Sequence, residues 1–363
     1  KKKINGLKNG ILFIQSNNVR KLLANISFKI NNKIPNNIIA VTGTNGKSSI
    51  ADFYYQILDL NKKKVASIGT LGIKSKKFKK NLSNTTIDPI QLSIILSNLK
   101  KQNINNVIME ASSHGLSQNR LDGLSFNTGI FTNLSQDHMD YHKNMKDYLK
   151  AKTYLFEQLI KKNGNIITDE KISEYKQIKK IASNKNLNLF SLLDKKNNFQ
   201  FLSHQFENEA QLLKIKYNNS IHNIKLNLIG KVQLKNILMA IIAAIKSDIS
   251  IKDILKVIPR IKSVDGRFEK IGKIKNNSKI ILDYAHTPDA LKTCLKNLKE
   301  QFPGHKVSLV FGCGGNRDSN KRSKMGKIAD YFSDKIYLTD DNPRLEQPSK
   351  IRKDIKKGIK KQK

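Results

Sequence analysis

The segment 41–49, with the sequence VTGTNGKSS, constrains the fold of this chain more than any other. It lies between an apolar run at 37–41, typical of a buried parallel strand, and the amphipathic run Lys47–Leu60, which predicts a helix. Glycines in such a loop let successive N–H groups and the helix N-terminus point at one anion. Lys47 can then reach a β- or γ-phosphate oxygen, and the Ser48 hydroxyl can ligate Mg²⁺. The segment therefore predicts a nucleoside triphosphate site in an α/β protein.

The match is to a short form of the phosphate loop. The common pattern G-x-x-x-x-G-K-[ST] requires glycine where this chain has Val41, whereas the shorter G-T-N-G-K-S form fits. The alternative interpretation is a glycine turn before a helix that carries Lys47 and Ser48 by chance. The strand–loop–helix context favours the phosphate loop.

Composition limits the class of protein. The chain has 363 residues, 38% of them hydrophobic, which suffices for two or three domains with ordinary cores. No apolar run approaches the roughly 18 residues of a membrane span, so we expect no membrane partner. Cys294 and Cys313 have neither a disulfide nor a metal spacing, and we expect no signal peptide. The expected location is therefore cytoplasmic.

The net charge of +38 raises nucleic-acid binding as a second class of function. Only eight of the 67 basic residues are arginine, and the lysines are spread over the whole length beside abundant asparagine and isoleucine. We therefore expect no nucleic-acid partner. The alternative, a nucleic-acid-binding NTPase, predicts ATP hydrolysis that DNA or RNA stimulates.

Strand-like and helix-like runs alternate from residue 37 to about 245, which predicts βαβ units and a largely parallel sheet. After the strand at 37–41, the predicted strands are Val65–Gly69, 106–111, 129–133 and 165–168. Three β-like runs at 199–204, 212–217 and 222–228 follow, with a hairpin turn at Asn218-Asn219 and a helix at 234–245. A second α/β unit begins near residue 263, with strands at 279–283, 306–311 and 335–339. Residues 1–36 hold little regular pattern.

Charged side chains cluster where the central strands end. Glu110 closes the strand at 106–111, and the block 132–142 puts two Asp and two His within six residues. Strand carboxyl ends in an open α/β sheet face the ligand crevice, and carboxylates with imidazoles ligate divalent ions or position phosphates. Glu110 is thus a candidate Mg²⁺ ligand, the alternative being a solvated strand-end glutamate. Lys152, ten residues further along, reads by itself as a surface lysine.

Polar blocks also follow strands of the second unit. They are DYAHTP at 283–288, GCGGNRD at 312–318 and DNPR at 341–344. Guanidinium groups bind carboxylates bidentately, and an acid, an amide and an arginine held apart by a stiff proline turn suit an amino acid. The second unit is therefore a candidate zwitterion-binding region.

These blocks, in this order, resemble the Mur ligase family, the ATP-dependent amide-forming enzymes of peptidoglycan assembly. The blocks that support the resemblance are TGTNGKSS (42–49), NTTIDP (84–89), MEASSHGLSQNR (109–120), FTNLSQDHMDYH (131–142), LDYAHTPDAL (282–291), FGCGGNRD (311–318) and DNPR (341–344). Within the family, they are most similar to the members that add the third residue of the stem peptide. Folylpolyglutamate synthases share the short phosphate loop, but we do not expect SSHGL with a later DNPR in them.

The resemblance implies an α/β fold with two units. A central ATP-binding domain with a phosphate loop and a parallel sheet is expected at 37–262, followed by a smaller Rossmann-like C-terminal domain at 263–363 that binds the amino acid. Residues 1–36 are expected to be a remnant of an N-terminal UDP-binding domain and linker, since family members extend further at both ends. Gln233 stands where many members have Asn. A monomer is expected.

The resemblance also implies roles for individual residues, with ATP and Mg²⁺ as cofactors. Catalytic roles fall to Lys47, His138 and Lys152. Nucleotide contacts fall to Gly43, Thr44, Asn45, Gly46, Lys47, Ser48, Asn236, Arg267, Asp283 and His286. Metal ligands would be Ser48, Glu110, His138 and Lys152, the last as the lysine that becomes carbamylated. Contacts to the UDP-muramoyl-dipeptide would be Thr85, Thr86, Ser112, Gln118 and Arg120, and the amino-acid pocket would be Arg317, Asp341, Asn342 and Arg344.

The activity that the resemblance implies is amide-bond formation through an acyl phosphate. The γ-phosphoryl group would move to the D-glutamate side-chain carboxylate of UDP-N-acetylmuramoyl-L-alanyl-D-glutamate, and an amine would then displace phosphate. Arg344 accompanies meso-diaminopimelate in this family, because it can pair with the second carboxylate, whereas it would repel a lysine ammonium. The alternatives are an L-lysine-adding ligase or another Mur- or folylpolyglutamate-type ligase.

Overall fold

A helix precedes the strand that leads into the phosphate loop. The computed structural model describes residues 6–76, 78–193, 198–207, 209–274 and 277–360. It begins with a short antiparallel hairpin, β1 (Gly6–Lys8) and β2 (Ile11–Phe13), and continues with helix α1 (Val19–Ile30). The Asn18 side chain caps α1 by accepting a hydrogen bond from the Lys21 N–H at 2.9 Å. The interpretation of 1–36 as nearly patternless is therefore wrong over α1.

Strands and helices alternate from residue 37, as predicted. The first elements are β3 (Asn37–Thr42), α2 (Lys47–Leu60), β4 (Val65–Gly69), β5 (Gly72–Ser75), β6 (Phe78–Lys80) and α3 (Pro89–Lys101). They are followed by β7 (Asn106–Glu110), α4 (Ser113–Ser117), β8 (Phe126–Phe131), α5 (Met145–Tyr154), β9 (Ile160–Thr168), α6 (Tyr175–Asn184) and β10 (Asn188–Ser191). A π-helical turn, Leu155–Leu159, joins α5 to β9. All five predicted strands are present, whereas β5, β6 and β10 were not predicted.

The strands from β3 to β10 form one sheet in the order β10-β9-β8-β3-β7-β4-β5-β6. From β10 to β4 all neighbours are parallel, and β5 and β6 extend the sheet as an antiparallel edge. Val41 of β3 lies opposite Glu110 of β7 on one side and Ile130 of β8 on the other. The strand that ends at Glu110 therefore lies directly beside the strand that leads into the phosphate loop. The carboxyl ends of β7, β3 and β8 converge at the phosphate loop, which is where α/β sheets bind ligands.

A three-stranded antiparallel sheet and two helices complete the central part. They are β11 (Phe199–Glu207), β12 (Ala210–Tyr217), β13 (Ser220–Leu226), α7 (Lys231–Ile245) and α8 (Ile251–Val257). The turn between β12 and β13 has φ of 45° at Asn218 and 67° at Asn219. Two successive positive φ angles are typical of a type I′ hairpin turn, in which asparagine is favoured. The predicted hairpin is confirmed.

Apolar side chains of β3 alternate between two cores, as a strand covered on both faces requires. Ile39 and Val41 belong to the cluster that includes α2 and α7, whereas Ile38 and Ala40 belong to the cluster that includes α3. The helical stripe predicted for α2 is fully buried in the first cluster; its members are Ile50, Phe53, Tyr54, Ile57 and Leu58. Burial of this stripe fixes the orientation of α2, and with it the direction in which the phosphate loop points.

The described residues of the second α/β unit form two strand pairs and three helices. Its elements are β14 (Glu269–Lys273), β15 (Lys279–Leu282), α9 (Pro288–Gln301), β16 (Ser308–Phe311), α10 (Asn320–Phe332), β17 (Lys335–Leu338) and α11 (Pro348–Lys356). Strands β14 and β15 pair antiparallel, and β16 and β17 pair in parallel. Leu291, Met325 and Ile355 join α9, α10 and α11 in one core. Strand β14 was not predicted, because its sequence EKIGK contains a single large apolar residue and none of its five residues is buried.

Two buried amides of α9 attach this unit to the first turn of α7. The Gly230 N–H donates to Gln301 Oε1 at 2.7 Å, and the Val232 N–H donates to Asn297 Oδ1 at 2.9 Å. These side chains take up backbone donors that a helix N-terminus leaves unpaired. They hold the two units against each other beside the phosphate loop. Among the described residues, no helix is both long enough and apolar enough to cross a bilayer.

Candidate active site

The phosphate loop requires glycine at two positions. Gly43 has φ of 139°, and a Cβ placed on it would lie 1.9 Å from Thr132 Oγ1. Gly46 precedes α2 with φ of 89°, and its Cβ would lie 2.7 Å from Asn236 Oδ1. Both backbone angles are rare for residues with a side chain, and both positions are in close contact with a neighbour. The pattern of glycines therefore reflects backbone angle and lack of space together.

A second loop, after β8, holds the phosphate loop in place. The Thr44 N–H donates to the Asn133 carbonyl oxygen at 2.9 Å, and the Asn45 N–H donates to Asn133 Oδ1 at 3.0 Å. The Thr132 hydroxyl donates to the Asn45 carbonyl oxygen at 2.6 Å. The sequence predicts a functional block at 132–142 but indicates no role for Thr132 and Asn133. Their role in holding the phosphate loop depends on the adjacency of β3 and β8, which the sequence does not reveal.

Two lysines meet at the start of the phosphate loop. Lys47 Nζ donates to the carbonyl oxygens of Gly43 at 2.9 Å and Thr44 at 2.8 Å. Lys152 Nζ, from α5, donates to the same Gly43 oxygen at 2.7 Å and lies 4.2 Å from the centre of the Tyr148 ring. Lys152 is only 1% exposed, so the surface-lysine interpretation is wrong. Burial lowers the pKa of both amines, and for Lys152 the charge of Lys47 lowers the pKa further.

Glu110 is buried at the end of β7. Its side chain accepts two hydrogen bonds from Thr70, one from the N–H at 2.8 Å and one from the hydroxyl at 3.1 Å. Glu110 is 3% exposed, which excludes the solvated strand-end alternative. Its negative charge acts on Lys47, where it opposes the effect of burial on the lysine pKa. A carboxylate and an ammonium group therefore flank the phosphate loop.

His138 lies in a cluster of histidines at the end of the block 132–142. Its φ of 55° is unusual for a residue with a side chain, and its Nε2 is 3.5 Å from Asp137 Oδ2. The His114 ring packs edge-on against it with 4.8 Å between ring centres, and His142 Nε2 hydrogen-bonds the buried Ser113 hydroxyl at 3.0 Å. Burial lowers the pKa of His138 to about 4, although Asp137 opposes the shift. The imidazole is therefore neutral near pH 7 and has a lone pair available.

The oxygen donors at this place fit Mg²⁺ only together with ligands from outside the chain. Among the residues described, no group of three or more His, Cys, Asp or Glu side chains is arranged to hold a metal ion. Mg²⁺ commonly uses one or two carboxylates and takes its other ligands from phosphates and water. The buried Glu110 carboxylate and the Ser48 hydroxyl suit that mode, whereas the Lys152 amine in its present form does not.

The residues predicted to contact the dipeptide are connected to Glu110. The Thr86 hydroxyl donates to the Glu110 carbonyl oxygen and accepts from the Ser112 N–H, both at 2.9 Å. The Thr85 hydroxyl lies 3.0 Å from that of Thr70, which itself donates to Glu110. The Ser112 side chain caps α4. The structure therefore brings Thr85, Thr86 and Ser112 together beside the buried carboxylate.

Gln118 and Arg120 belong to the same network. Arg120 donates from Nε to Gln118 Oε1 at 3.0 Å and from Nη1 to the Thr86 carbonyl oxygen. Gln118 Nε2 donates to the Tyr141 hydroxyl at 3.2 Å. Tyr141 lies in the block that carries His138, so these predicted dipeptide contacts adjoin the histidine cluster.

The predicted nucleotide-side residues form a chain from the phosphate loop to the second unit. Asn236 Nδ2 donates to Gln233 Oε1 at 3.0 Å, and Gln233 Nε2 donates to the Arg267 carbonyl oxygen at 2.9 Å. The Arg267 guanidinium lies 4.4 Å from the centre of the Tyr284 ring. Gln233 thus bridges α7 and the start of the second unit.

Asp283 and His286 lie just beyond Arg267. The Asp283 carboxylate accepts from the N–H groups of Phe268 at 2.9 Å and Ala285 at 3.0 Å, and burial raises its pKa. His286 Nε2 is 3.8 Å from Asp137 Oδ2 of the central unit. Asp137, which received no role from the sequence, therefore lies between His138 and His286, one from each unit.

The predicted amino-acid pocket brings two loops together. Arg344 Nη1 donates to the Gly315 carbonyl oxygen at 2.7 Å, and the Gly315 N–H donates to the Asn342 carbonyl oxygen at 2.9 Å. Asp341 and Asn342 are exposed beside them. Arg317, on the glycine-rich loop, contacts the central unit instead: its Nη1 is 3.6 Å from Asp140 Oδ2.

Fold and site together define an α/β protein with the predicted phosphate loop at the end of a parallel strand and a second α/β unit against the central one. Two family models match the chain: the Mur ligase middle domain over residues 41–244 and the Mur ligase, glutamate ligase domain over residues 266–363. The chain belongs to the Mur ligase family, as its sequence motifs predict. The domain boundaries at 36/37 and 262/263 and the roles of single residues stay predictions.

Similar proteins include named ligases. UDP-N-acetylmuramoyl-L-alanyl-D-glutamate--2,6-diaminopimelate ligase of Rickettsia montanensis is 40% identical over 335 residues, which span 91% of this chain and 69% of that protein. A solved structure of a ligase of the same name has a TM-score of 0.71 at 29% identity and covers 96% of this chain and 71% of its own. Mycobacterium tuberculosis folylpolyglutamate synthase complexed with ADP has a TM-score of 0.76 at 13% identity, covering 95% of this chain and 84% of its own, which shows a shared fold alone.

Proposed function

We propose that this protein is a cytoplasmic, ATP-dependent ligase of peptidoglycan assembly. It joins meso-2,6-diaminopimelate to the D-glutamate side-chain carboxylate of UDP-N-acetylmuramoyl-L-alanyl-D-glutamate. Family membership and the names of relatives at 35–40% identity support the reaction class. The observation that supports it most directly is the contact between Asp140 and Arg317, 3.6 Å apart, because it brings the glycine-rich loop of the second unit against the block of the central unit that carries His138.

The chemistry follows from the charges of the two substrates and of the residues around the phosphate loop. A carboxylate is a poor acyl donor, so the γ-phosphorus of ATP first forms a bond to a glutamate carboxylate oxygen while ADP leaves. The amine then attacks the acyl carbon, phosphate leaves, and the amine loses a proton. Lys47 and the N-terminus of α2 offset the negative charge shared between the two anions in the first step.

Lys152 suits the carbamylation that the family resemblance implies. Its amine is buried between the Gly43 carbonyl oxygen and the Tyr148 ring, next to a second ammonium group. Once the ammonium group has lost one proton, the neutral amine can form an N–C bond to CO₂ and lose a second proton, so that a cation becomes an anion. The product offsets the charge of Lys47 and supplies an oxygen where the amine had none to offer a metal.

Mg²⁺ would be held by Ser48, Glu110, His138 and the carbamylated Lys152. When bound, it neutralises phosphate charge and polarises the phosphorus that is transferred. The chain's own contribution is positional. Thr70 orients the Glu110 carboxylate through two hydrogen bonds, and Asp137 and His114 fix the His138 ring.

Arg344 supports diaminopimelate over L-lysine as the amino acid. A guanidinium can pair with the second carboxylate of diaminopimelate, and it repels the side-chain ammonium of lysine. The exposed turn that carries Arg344 lies directly against the glycine-rich loop. Both loops then contact the same ligand.

The test is phosphate release from ATP by the full-length gene product with UDP-N-acetylmuramoyl-L-alanyl-D-glutamate. Diaminopimelate should stimulate release and L-lysine should not, and Arg344→Ala should abolish most of the stimulation. Arg260→Ala, an exposed arginine in the turn after α8, is the matched control and should behave as wild type. Stimulation by L-lysine alone would contradict the proposed substrate. Stimulation by DNA or RNA instead would contradict the class of enzyme.

A further inference from the structure

Arg322 is a fully buried arginine in α10 that has no place in the chemistry above. It is 1% exposed, and it is the largest of the fully buried side chains among the residues described. Its Nη1 lies 2.9 Å from Glu346 Oε2 and 3.2 Å from Asp354 Oδ2, and its Nη2 donates to Glu346 Oε1 at 2.9 Å. A bidentate pair of this kind fixes direction as well as distance. Arg322 thus locks Glu346, two residues after Arg344.

Glu346 joins the two loops of the predicted amino-acid pocket. Its Oε1 accepts from the Asn316 N–H of the glycine-rich loop at 2.5 Å. Asn316 Oδ1 in turn accepts from the Leu345 N–H at 3.0 Å, so the two segments exchange hydrogen bonds. The hydrogen bonds from Arg322 lower the pKa of the Glu346 carboxyl, which keeps it charged near neutral pH.

The geometry around Arg344 leaves it little freedom. Its φ is 51°, an uncommon value for a residue with a side chain, and its Nη1 donates to the Gly315 carbonyl oxygen at 2.7 Å. A Cβ on Gly315 would lie 1.9 Å from the Pro343 carbonyl oxygen. The two loops are therefore packed at backbone contact, and a shift of one moves the other.

We propose that Arg322 and Glu346 are positioning residues for the amino-acid substrate: they hold Arg344 where it can pair with the distal carboxylate of a diamino dicarboxylic acid. The inference rests on the proposed function. The buried fork of Arg322 fixes Glu346, Glu346 fixes the glycine-rich loop through Asn316, and this loop accepts from Arg344. In this proposal neither residue contacts the substrate, and both belong to the second unit.

Asp354 offers a control that distinguishes a positioning role of Arg322 and Glu346 from a purely structural role. It contacts the same guanidinium at 3.2 Å, but it belongs to α11 and its other partner is Lys357, at 2.7 Å. It makes no hydrogen bond to either pocket loop among the contacts of the described residues. Replacing Asp354 by Asn therefore removes a charge partner of Arg322 and leaves the link to the loops intact.

The experiment compares wild type, Glu346→Gln, Arg322→Lys and Asp354→Asn in the full-length gene product. For each, KM is measured for diaminopimelate, ATP and the UDP-muramoyl-dipeptide, and the thermal midpoint is recorded as a folding control. Glu346→Gln and Arg322→Lys should raise KM for diaminopimelate about tenfold or more, and KM for ATP and the dipeptide should stay within about twofold. Lysine keeps the charge of Arg322 but lacks the fork that holds both carboxylate oxygens. In Asp354→Asn, all three KM values should stay within about twofold of the wild-type values.

Three results would overturn the inference: an unchanged KM for diaminopimelate in Glu346→Gln, an equal rise in Asp354→Asn, or a rise of all three KM values together. A wild-type protein that does not respond to diaminopimelate overturns the proposed function, and this inference with it, before any variant is compared. A wild-type response that Glu346→Gln leaves unaltered overturns only the inference.

Discussion

Lys47 and Lys152 donate hydrogen bonds to one and the same acceptor, the carbonyl oxygen of Gly43, at 2.9 and 2.7 Å. They lie 105 positions apart in the sequence. Two amines around one oxygen in a buried place are unfavourable as two cations, because each loses hydration and repels the other. The pair is therefore built to receive negative charge, from a phosphate group, from carbamylation of one amine, or from both.

Lys152→Ala should lose ligase activity and recover part of it when a short-chain carboxylate is added. The truncation leaves room beside Gly43, and a small anion can supply the oxygen that a carbamylated lysine would offer. Activity is measured as phosphate release with and without acetate or propionate. Lys150→Ala, an exposed lysine on the same helix, is the matched control and should keep wild-type activity. Full activity of Lys152→Ala without added carboxylate would contradict the proposed carbamylation of Lys152.

Gly43→Ala should destabilise the protein by about 2 kcal/mol or more and abolish nucleotide turnover. The new Cβ would lie 1.9 Å from Thr132 Oγ1 and 3.1 Å from the Asn133 backbone nitrogen, at a φ of 139°. Relief requires the loop after β8 to move, and that loop holds the phosphate loop. Urea unfolding and phosphate release together check the expectation.

Gly272→Ala is the control for that substitution. Gly272 lies in β14, and a Cβ there would have no atom within 4 Å. The free energy of unfolding of this variant should lie within about 0.5 kcal/mol of the wild-type value. Equal stability of both variants would mean that the close approach at Gly43 relaxes without cost.

Glu110→Gln should raise the Mg²⁺ concentration needed for half-maximal phosphate release about tenfold or more. The amide removes a negative charge but keeps an oxygen that can accept from the Thr70 N–H, so the fold is preserved. Glu300→Gln, an exposed side chain on α9, serves as the control. An unchanged Mg²⁺ dependence in Glu110→Gln would exclude this carboxylate as a metal ligand.

Local patterns predicted the core of the site well. The apolar run of β3, the glycines and the stripe of α2 each follow a short-range rule, and all three are present. The rule that strand carboxyl ends face the ligand crevice predicted the edge of the sheet on which Glu110 lies, and the pairing of β7 with β3 places Glu110 beside the phosphate loop. Helix α1 was not predicted, because only Ala24, Ser27 and Phe28 are buried on it, and three residues are too few to form a clear apolar stripe.

The remaining features depend on contacts between distant parts of the chain. The hold of Asn133 on the phosphate loop requires β8 to pair with β3, and the burial of Lys152 requires α5 to pack behind that loop. Composition and spacing carry no signal for either. The resemblance to a family predicted Lys152 as a carbamylated metal ligand, but it did not indicate where the fold places this side chain. The hydrogen bond to the Gly43 oxygen places it beside Lys47.

Acidification below about pH 6.5 should destabilise the folded protein, and the histidine cluster should be one cause. Burial lowers the pKa of His114, His138 and His142 from the ordinary value near 6.5, for His138 to about 4. Between these two values the unfolded chain binds more protons than the folded one, so the free energy of unfolding falls as the pH falls. Asp283 acts in the opposite sense, because burial raises the pKa of its carboxyl group.

The histidine contribution is therefore isolated by substitution: urea midpoints of wild type and His138→Gln are compared at about pH 7 and pH 5. His138→Gln should lose less stability than wild type over this interval, and an equal loss in both would show that His138 does not titrate in this way.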